Sequence, residues 1–156
     1  MPVSLADTTV LSNFAQIGRP DLLRRAFPGL TTPEAVREEL AKGERLGLVP
    51  VCDWSWLTAV ELTGAEQARA ADLERHLQAG EAACIAVTEH RGGLLLTDDG
   101  AARRLAESLG VEISGTIGVL VKLLRRKILP LEQGDNLLAE MMARGYRNPV
   151  RSLREL

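Results

Sequence analysis

The chain has 156 residues, 46% of them hydrophobic, a length that fits one ordinary domain with a sizeable core. Aromatic residues are scarce at 3%, so Leu, Val, Ile and Ala have to build that core, and two cysteines with two histidines argue against a disulfide framework or a zinc site. The net charge of −2 hides an acidic first part and a basic last part.

The start of the chain indicates neither export nor a membrane anchor. The first seven residues contain no basic region and no apolar run of signal-peptide length. The most apolar late segment, residues 117–124, is interrupted by Lys122 and is too short to cross a bilayer. We therefore expect a soluble, cytoplasmic protein.

The first part of the chain alternates between strand-like and helical segments. In chain order we predict a strand at 3–6, a helix at 10–17, a helical turn at 22–27, a strand at 30–32, a helix at 33–42 and a strand-and-loop region at 48–62. Gly18 and Pro20 stop the first helix, and Pro33 stands where proline is best tolerated at a helix start.

The second part continues the alternation. We predict helices at 63–78 and 81–90, a buried strand at 94–97, a helix at 101–109, a strand at 111–113, and helices at 116–126 and 132–143. Thr63 and Glu66 have capping-box spacing, and Gly80 is expected to interrupt the first of these helices. Short strands alternating with helices predict an α/β fold with a mostly parallel sheet.

Carboxylates follow two of the predicted strands. Asp7 comes directly after the strand at 3–6, and Asp98 and Asp99 come directly after the strand at 94–97. Ligand sites in open α/β sheets form outside the carboxyl ends of the strands. These acids can therefore meet although they are far apart in sequence.

Two further carboxylates lie beside the apolar faces of predicted helices. Glu39 follows Val36 by three positions and precedes Leu40, so it lies on or beside an apolar stripe. Glu81 shares a face with Cys84 by the same spacing. A carboxylate next to a core-facing stripe is unfavourable unless its charge is compensated, and a divalent cation would compensate it.

Each acid also has a purely structural interpretation. Asp7 can cap the helix that follows it, and one of Asp98 and Asp99 can cap the next helix along the chain. Glu81, in a first helical turn, can simply complement the helix dipole. Glu39 can turn outward to water. For any single acid, the structural interpretation is the more common outcome. It is less common for all of these acids to have only structural roles.

Gathered at one rim of a sheet, such acids predict a metal site. Crowded carboxylates raise one another's pKa unless a cation lies among them. Mg²⁺ prefers oxygen ligands, lowers the pKa of a bound water and neutralises a phosphate under attack, so phosphodiester hydrolysis is the natural reaction.

Residues 1–99 carry 9 Lys and Arg against 15 Asp and Glu, and residues 100–156 carry 10 against 6. Such a division suits a metal-holding part and a phosphate-facing part, or equally ordinary solvated helix faces.

Five segments, in order, resemble the motifs of the PIN-domain family, and most closely its bacterial and archaeal DUF3368 group. The segments that carry the resemblance are DTTVLSNFAQIG at 7–18, TPEAVREEL at 32–40, GEAACIAV at 80–87, LLTDDGAAR at 95–103 and GTIGVL at 115–120. The resemblance covers about residues 3–128. It implies a three-layer α/β/α sandwich with a mostly parallel central sheet, and a Mg²⁺- or Mn²⁺-dependent endoribonuclease.

The same resemblance implies which residues would act. The catalytic and metal-binding acids it implies are Asp7, Glu39, Glu81, Asp98 and Asp99. The spacing after Thr97 does not decide which of the two adjacent aspartates is the direct ligand, so one is expected as ligand and the other as a cap or support.

Polar neighbours of the site are also implied, namely Asn13, Thr116 and Arg103. Asn13 and Thr116 have a simple helix-start alternative, and Thr116 in particular is a candidate N-cap. Arg103 is expected either to contact a phosphate or, as the more common state, to pair with an acid.

The resemblance is looser after Pro130. We expect residues 1–130 to form the PIN-like nuclease domain and residues 131–156 a C-terminal helix and tail packed on the same domain. This tail is a candidate surface for a partner or a homodimer, although Gly145 and Pro149 are also ordinary helix-stop residues. Many relatives are toxins of toxin–antitoxin pairs, so the implied partners are an RNA substrate and a small antitoxin protein, with no membrane.

Two other functions remain open at this stage. Glu81 stands where the wider family commonly has Asp, and its longer reach changes the metal geometry. A degenerate module that binds RNA or a protein without cleavage is therefore the main alternative. A receiver-type phosphoacceptor domain is disfavoured, because it needs an acidic pair at the first strand and a lone Asp later, which is the reverse of the order found here.

Overall fold

The computed structural model describes residues 2–156. Its strands are β1 Val3–Ala6, β2 Thr31–Pro33, β3 Thr58–Val60, β4 Gly93–Leu96 and β5 Glu112–Ser114. Its helices are α1 Thr8–Gln16, α2 Pro20–Ala26, α3 Glu34–Arg45, α4 Gly64–Leu73, α5 Ala79–Arg91, α6 Gly100–Ser108, α7 Thr116–Arg125 and α8 Leu131–Ala143, followed by a 3-10 helix at Leu153–Glu155.

The strands form one sheet in the order β3-β2-β1-β4-β5, and every neighbouring pair is parallel. This confirms the predicted α/β fold with its parallel sheet. The chain steps from β1 outward to β2 and β3, then returns to the other side of β1 for β4 and β5. Ala6 pairs with Leu96, so β1 and β4 end side by side. Such a reversal of strand order is where open α/β sheets bind their ligands.

Helices lie in two layers, and α5 is the most deeply buried of them. It contacts β1, β2 and β4 as well as the neighbouring helices α4 and α6. Its buried residues include the small side chains of Ala82, Ala83, Cys84 and Ala86, which let the helix approach the sheet closely. The other layer contains α1, α2, α7 and α8, which are linked by mutual contacts, while α3 contacts both α1 and α5.

The core is aliphatic, as the composition predicts. Fully buried side chains from both layers and from the sheet meet there, among them Leu5, Ile85 and Leu120. Helix α8 contributes Leu137 and Leu138 to the same core. None of the helices in residues 2–156 is both long and apolar enough to cross a membrane.

Several predicted boundaries are wrong for local reasons. Helix α4 ends at Leu73 rather than near residue 78: the chain turns at residues 74–77, and Gln78 is the N-cap of α5, where its N–H donates to the Glu81 carboxylate at 3.3 Å. Gly80 therefore lies in the first turn of α5 and does not interrupt a helix. Pro33 occupies the N-cap position of α3 with extended backbone angles, not the first helical position.

Other local predictions have mixed outcomes. The capping box of Thr63 and Glu66 at the start of α4 is confirmed. Thr97 follows β4 instead of ending it, and the C-terminal 3-10 helix was not predicted. Thr97 is buried nonetheless, which brings its hydroxyl to the rim where β1 and β4 end.

Candidate active site

Asp7 lies at the end of β1, where the strand order reverses. Its backbone N–H donates to the carbonyl of Leu96 at 3.0 Å, which ties the ends of β1 and β4 together. The side chain is only 1% exposed and caps α1 by accepting from the N–H groups of Thr9 at 3.0 Å and Val10 at 3.3 Å. The predicted capping role is thus confirmed.

Two threonine hydroxyls connect the Asp7 carboxylate to the loop after β4. Thr9 Oγ1 donates to Asp7 Oδ1 at 2.6 Å and accepts from the N–H of Asp98 at 2.9 Å. Thr97 Oγ1 donates to Asp7 Oδ2 and accepts from the N–H of Asp99 at 3.1 Å. These bridges fix the loop that carries both aspartates against the carboxylate of β1.

Burial dominates the ionisation of Asp7. It raises the pKa of the carboxyl from 3.8 to about 6, although the hydroxyls of Thr9 and Thr97 and the N–H of Val10 act in the opposite direction. The groups that stabilise the carboxylate are thus uncharged. Asp98 raises the pKa further by its own negative charge.

Asp98 and Asp99 are adjacent in sequence but point to different partners. Asp99 caps α6 by accepting from the N–H of Ala102 at 2.9 Å. Asp98 accepts from the N–H of Thr116 at 2.9 Å, from the hydroxyl of the same residue, and from Asn13 Nδ2 at 3.0 Å. One aspartate therefore caps a helix, as predicted, and the other joins α1 to the start of α7.

Glu39 reaches the same rim from α3. Its carboxylate accepts from Thr8 Oγ1 at 2.6 Å and from the N–H of Gly80 at 2.8 Å. A Cβ on Gly80 would lie 2.6 Å from Glu39 Oε2, so only glycine leaves room for the carboxylate there. Gly80, expected as a helix breaker, instead allows α3 and α5 to approach each other.

Glu81 lies in the first turn of α5, opposite Asp99. Burial, followed by the interaction with Asp99, raises the pKa of Glu81 from 4.5 to about 7. Farther down the same helix, burial and then the charges of Asp7, Glu39 and Glu81 raise the pKa of the Cys84 thiol. Hydrogen bonds give the geometry of this rim: Glu39 contacts the start of α5 at Gly80, and Thr97 joins Asp7 to the backbone of Asp99.

The structure brings the five predicted acids to one rim of the sheet. These acids, called the acid cluster below, are Asp7, Glu39, Glu81, Asp98 and Asp99. Their carboxylates offer an all-oxygen donor set, which suits Mg²⁺ or Mn²⁺. In the described part of the chain, however, no three His, Cys, Asp or Glu side chains form a ready-made metal cage. The carboxylates would have to turn from their capping partners to enclose a cation.

The three predicted polar neighbours have different outcomes. Asn13 lies between α1 and α7, where its Nδ2 donates to Asp98 at 3.0 Å and to Thr116 Oγ1 at 3.2 Å. Thr116 is not an N-cap: Gly115 holds that position, and Thr116 is the first helical residue. Arg103 forms no ion pair with any acid of residues 2–156; its Nη1 donates to the carbonyl of Thr97 at 2.7 Å.

Sequence reasoning missed several residues of the site. Thr8, Thr9 and Thr97 were not predicted as site residues, yet each hydroxyl donates to a carboxylate of the acid cluster. Their positions next to Asp7 and Asp98 are a usable signal. Tyr146 lies beside Asp98, and burial together with that negative charge raises the pKa of the phenol. No local signal points to Tyr146, because it is distant in sequence.

Comparison with known proteins identifies one family. The family model DUF3368, described as a PIN domain, matches residues 3–156, nearly the whole chain. No curated protein and no solved structure matches the chain.

Proposed function

The chain belongs to the PIN-domain family, and we propose that it is a metal-dependent endoribonuclease that hydrolyses RNA phosphodiester bonds. PIN domains are generally nucleases, and the acid cluster supplies the type of ligand that such chemistry requires. The RNA substrate, the metal dependence and the residue roles below are parts of this proposal.

The buried carboxylate of Asp7 is the observation that carries the proposal. A carboxylate 1% exposed is costly to ionise unless a cation compensates it, and here uncharged groups alone offset the burial. Glu81 and Asp99 add further negative charge at the same rim. A divalent cation from solution would relieve all three carboxylates at once.

We assign direct contact with the cation to Asp7, Glu81 and Asp99, with Glu39 completing the set. Asp98 is the supporting residue of the adjacent pair, because Asn13 and Thr116 tie it to α1 and α7, whereas Asp99 is the aspartate that interacts with Glu81. When bound, Mg²⁺ or Mn²⁺ would activate a water and neutralise charge on the scissile phosphate.

The remaining polar residues act by holding these acids in position. Thr9 and Thr97 orient the Asp7 carboxylate and anchor the loop of Asp98 and Asp99. The Arg103 guanidinium, fixed by one bond to the carbonyl of Thr97, keeps its other donors for a phosphate oxygen of the substrate.

We further propose a toxin role, with a small antitoxin protein as partner. An exposed apolar loop after α3 supports a protein partner: Leu46, Leu48 and Val51 are 62%, 68% and 79% exposed. A homodimer is the other assembly that such a surface would serve.

Cleavage of an RNA pool with added metal tests the proposal. The wild-type protein should cut RNA when Mg²⁺ or Mn²⁺ is added and stop when EDTA is added. Asp7→Asn should lower the rate at least about a hundredfold, because it removes a charge that helps hold the metal. The matched control Asp53→Asn alters an exposed aspartate and should leave the rate unchanged. Equal rates for Asp7→Asn and the wild type would refute the mechanism.

A catalytically degenerate module remains the second candidate. It is favoured by the lack of a ready-made metal cage within residues 2–156 and by the bond between Glu81 and the backbone of Gln78. This candidate predicts RNA binding without turnover at any metal concentration. Metal-dependent cleavage by the purified protein would eliminate it.

A further inference from the structure

A cavity of about 590 Å³ opens beside the acid cluster. It lies between β5, the start of α7 and the C-terminal segment 146–150, and Asp98 and Arg103 form the wall it shares with the cluster. Its volume is within the range of roughly 300–1,000 Å³ that is typical of small-ligand sites. We call it the tail cavity.

Positively charged groups converge on the tail cavity. Arg103 enters from α6 and Arg147 from the tail, and both line it. The N-terminal turn of α7, a ten-residue helix, forms another wall through Gly115, Ile117 and Gly118. The start of α7 contributes the partial positive charge of a helix N-terminus, although the N–H of its first residue, Thr116, already donates to Asp98. Together these groups suit a phosphate.

Asn148 provides an unsatisfied donor at the same cavity. Its Oδ1 accepts from the N–H of Val150 at 2.9 Å, which fixes the side chain. Its Nδ2 is buried yet has no hydrogen-bond partner. Leaving a buried donor unpaired costs free energy, so a ligand that accepts from it gains affinity.

The rest of the wall is apolar. Ile113 of β5, Ile117 of α7, and Pro149 and Val150 of the tail line the cavity, with the Tyr146 ring among them. Flat bases that have left a helical stack bind to such surfaces, particularly next to aromatic rings, and polar edge groups then form specific hydrogen bonds.

We propose that the tail cavity binds one unstacked nucleotide of the RNA strand, next to the phosphate that is cut. The phosphate lies against Arg103, Arg147 and the start of α7, and the base lies on the apolar wall with an acceptor at Asn148 Nδ2. This inference rests on the proposed function, and it adds a binding subsite for one nucleotide beside the acid cluster.

Titration of nucleoside monophosphates into the ¹⁵N-labelled full-length protein tests this assignment. With EDTA present, so that metal contributes nothing, at least one of AMP, GMP, CMP and UMP should shift the Asn148 side-chain amide signal saturably. Inorganic phosphate should bind more weakly and leave that signal in place. If no monophosphate moves the signal, or if phosphate moves it equally, the cavity is not a nucleotide site.

Two tail variants give a matched comparison. Arg147→Gln should weaken monophosphate binding by about threefold to tenfold, because it removes a charged contact to the phosphate. Arg151→Gln alters an exposed arginine of the same tail that does not line the cavity, so the affinity should stay at the wild-type value. Equal losses in the two variants would reduce the effect to general charge attraction and overturn the proposal.

A third variant separates this inference from the proposed function. Asp7→Asn should abolish cleavage and keep monophosphate binding, because Asp7 does not line the tail cavity. Binding without cleavage in the wild type would refute the nuclease and leave the nucleotide site standing. Cleavage of RNA without monophosphate binding would refute the nucleotide site and leave the nuclease standing.

Discussion

Two buried carboxylates in this protein, those of Glu66 and Asp7, have opposite electrostatic surroundings. Both residues are 1% exposed. Arg91 donates to both oxygens of Glu66, each at 2.8 Å, and the ion pair lowers the pKa of Glu66 from 4.5 to about 2. Asp7 receives bonds from hydroxyls and amides only, and burial raises its pKa to about 6.

The difference shows that the fold can supply a cation where a carboxylate has only a structural role. Glu66 joins the start of α4 to the end of α5 through its own arginine and needs nothing from solution. Beside the acid cluster, the guanidinium of Arg103 donates to the carbonyl of Thr97 instead. The negative charge there has no such partner within residues 2–156, which fits the cation site that we propose.

Breaking the Glu66 pair should have the largest effect on stability. Arg91→Ala leaves a buried carboxylate without its partner and should lower the free energy of unfolding by about 3 kcal/mol. The measurement is urea denaturation at pH 7. Arg75→Ala is the control: Arg75 is 78% exposed and 3.8 Å from Asp72, so its loss should change little. Similar losses for both variants would mean that the buried pair has no special role.

The pH dependence of stability should have opposite signs at the two carboxylates. Without divalent metal, the folded protein binds a proton at Asp7 at pH values where the unfolded chain does not, so stability rises as pH falls from about 6 towards 3.8. Glu66 contributes stability above pH 4.5, and this is lost as pH falls towards about 2.

Asp7→Asn isolates the first of these two contributions. It removes the charge that is costly to bury, so in EDTA it should stabilise the protein by about 1 kcal/mol at pH 8 and by nothing near pH 4. Urea denaturation at both pH values gives the comparison. An Asp7→Asn variant less stable than the wild type at pH 8 would show that the carboxylate is already compensated in the free protein.

Gly80→Ala should have the smallest effect on stability and a clear effect on function. The added Cβ meets the flexible end of Glu39, so the carboxylate shifts while the helix gains from alanine. Stability should change by less than about 1 kcal/mol, and metal-dependent cleavage should fall about tenfold. Gly64→Ala, at the first residue of α4 where a Cβ meets nothing within 4 Å, should leave cleavage unchanged. Equal cleavage by both variants would contradict this prediction.

The parts of the fold that follow local rules were predictable from sequence. The short strand β1 has its predicted bounds, and the capping box of α4 depends on Thr63 and Glu66, whose spacing a linear reading detects. The end of α4 was missed although the Gln78–Glu81 contact at the start of α5 is equally local, because Gln is not among the residues that usually cap a helix. Gly80 was predicted to interrupt a helix, whereas in the structure its N–H donates to Glu39 of α3.

The candidate site likewise has features that were predictable from sequence and features that were not. Asp7 and the Asp98–Asp99 pair follow strands, so the topology of an α/β sheet brings them together. The direction of each side chain depends on partners distant in sequence. Asp98 faces Asn13 and Thr116 from α1 and α7. Likewise, Tyr146 lies beside Asp98, but it belongs to a tail whose position no periodic sequence pattern predicts.

Calorimetric titration with Mn²⁺ measures whether the acid cluster is an uncompensated site for a divalent cation. At pH 6 binding should release protons, because the carboxyls of Asp7 and Glu81, with pKa values of about 6 and about 7, are partly protonated. At pH 9 binding should continue without proton release, and Asp7→Asn should weaken it strongly at both pH values. Mn²⁺ affinity that is identical in Asp7→Asn and the wild type would contradict the account.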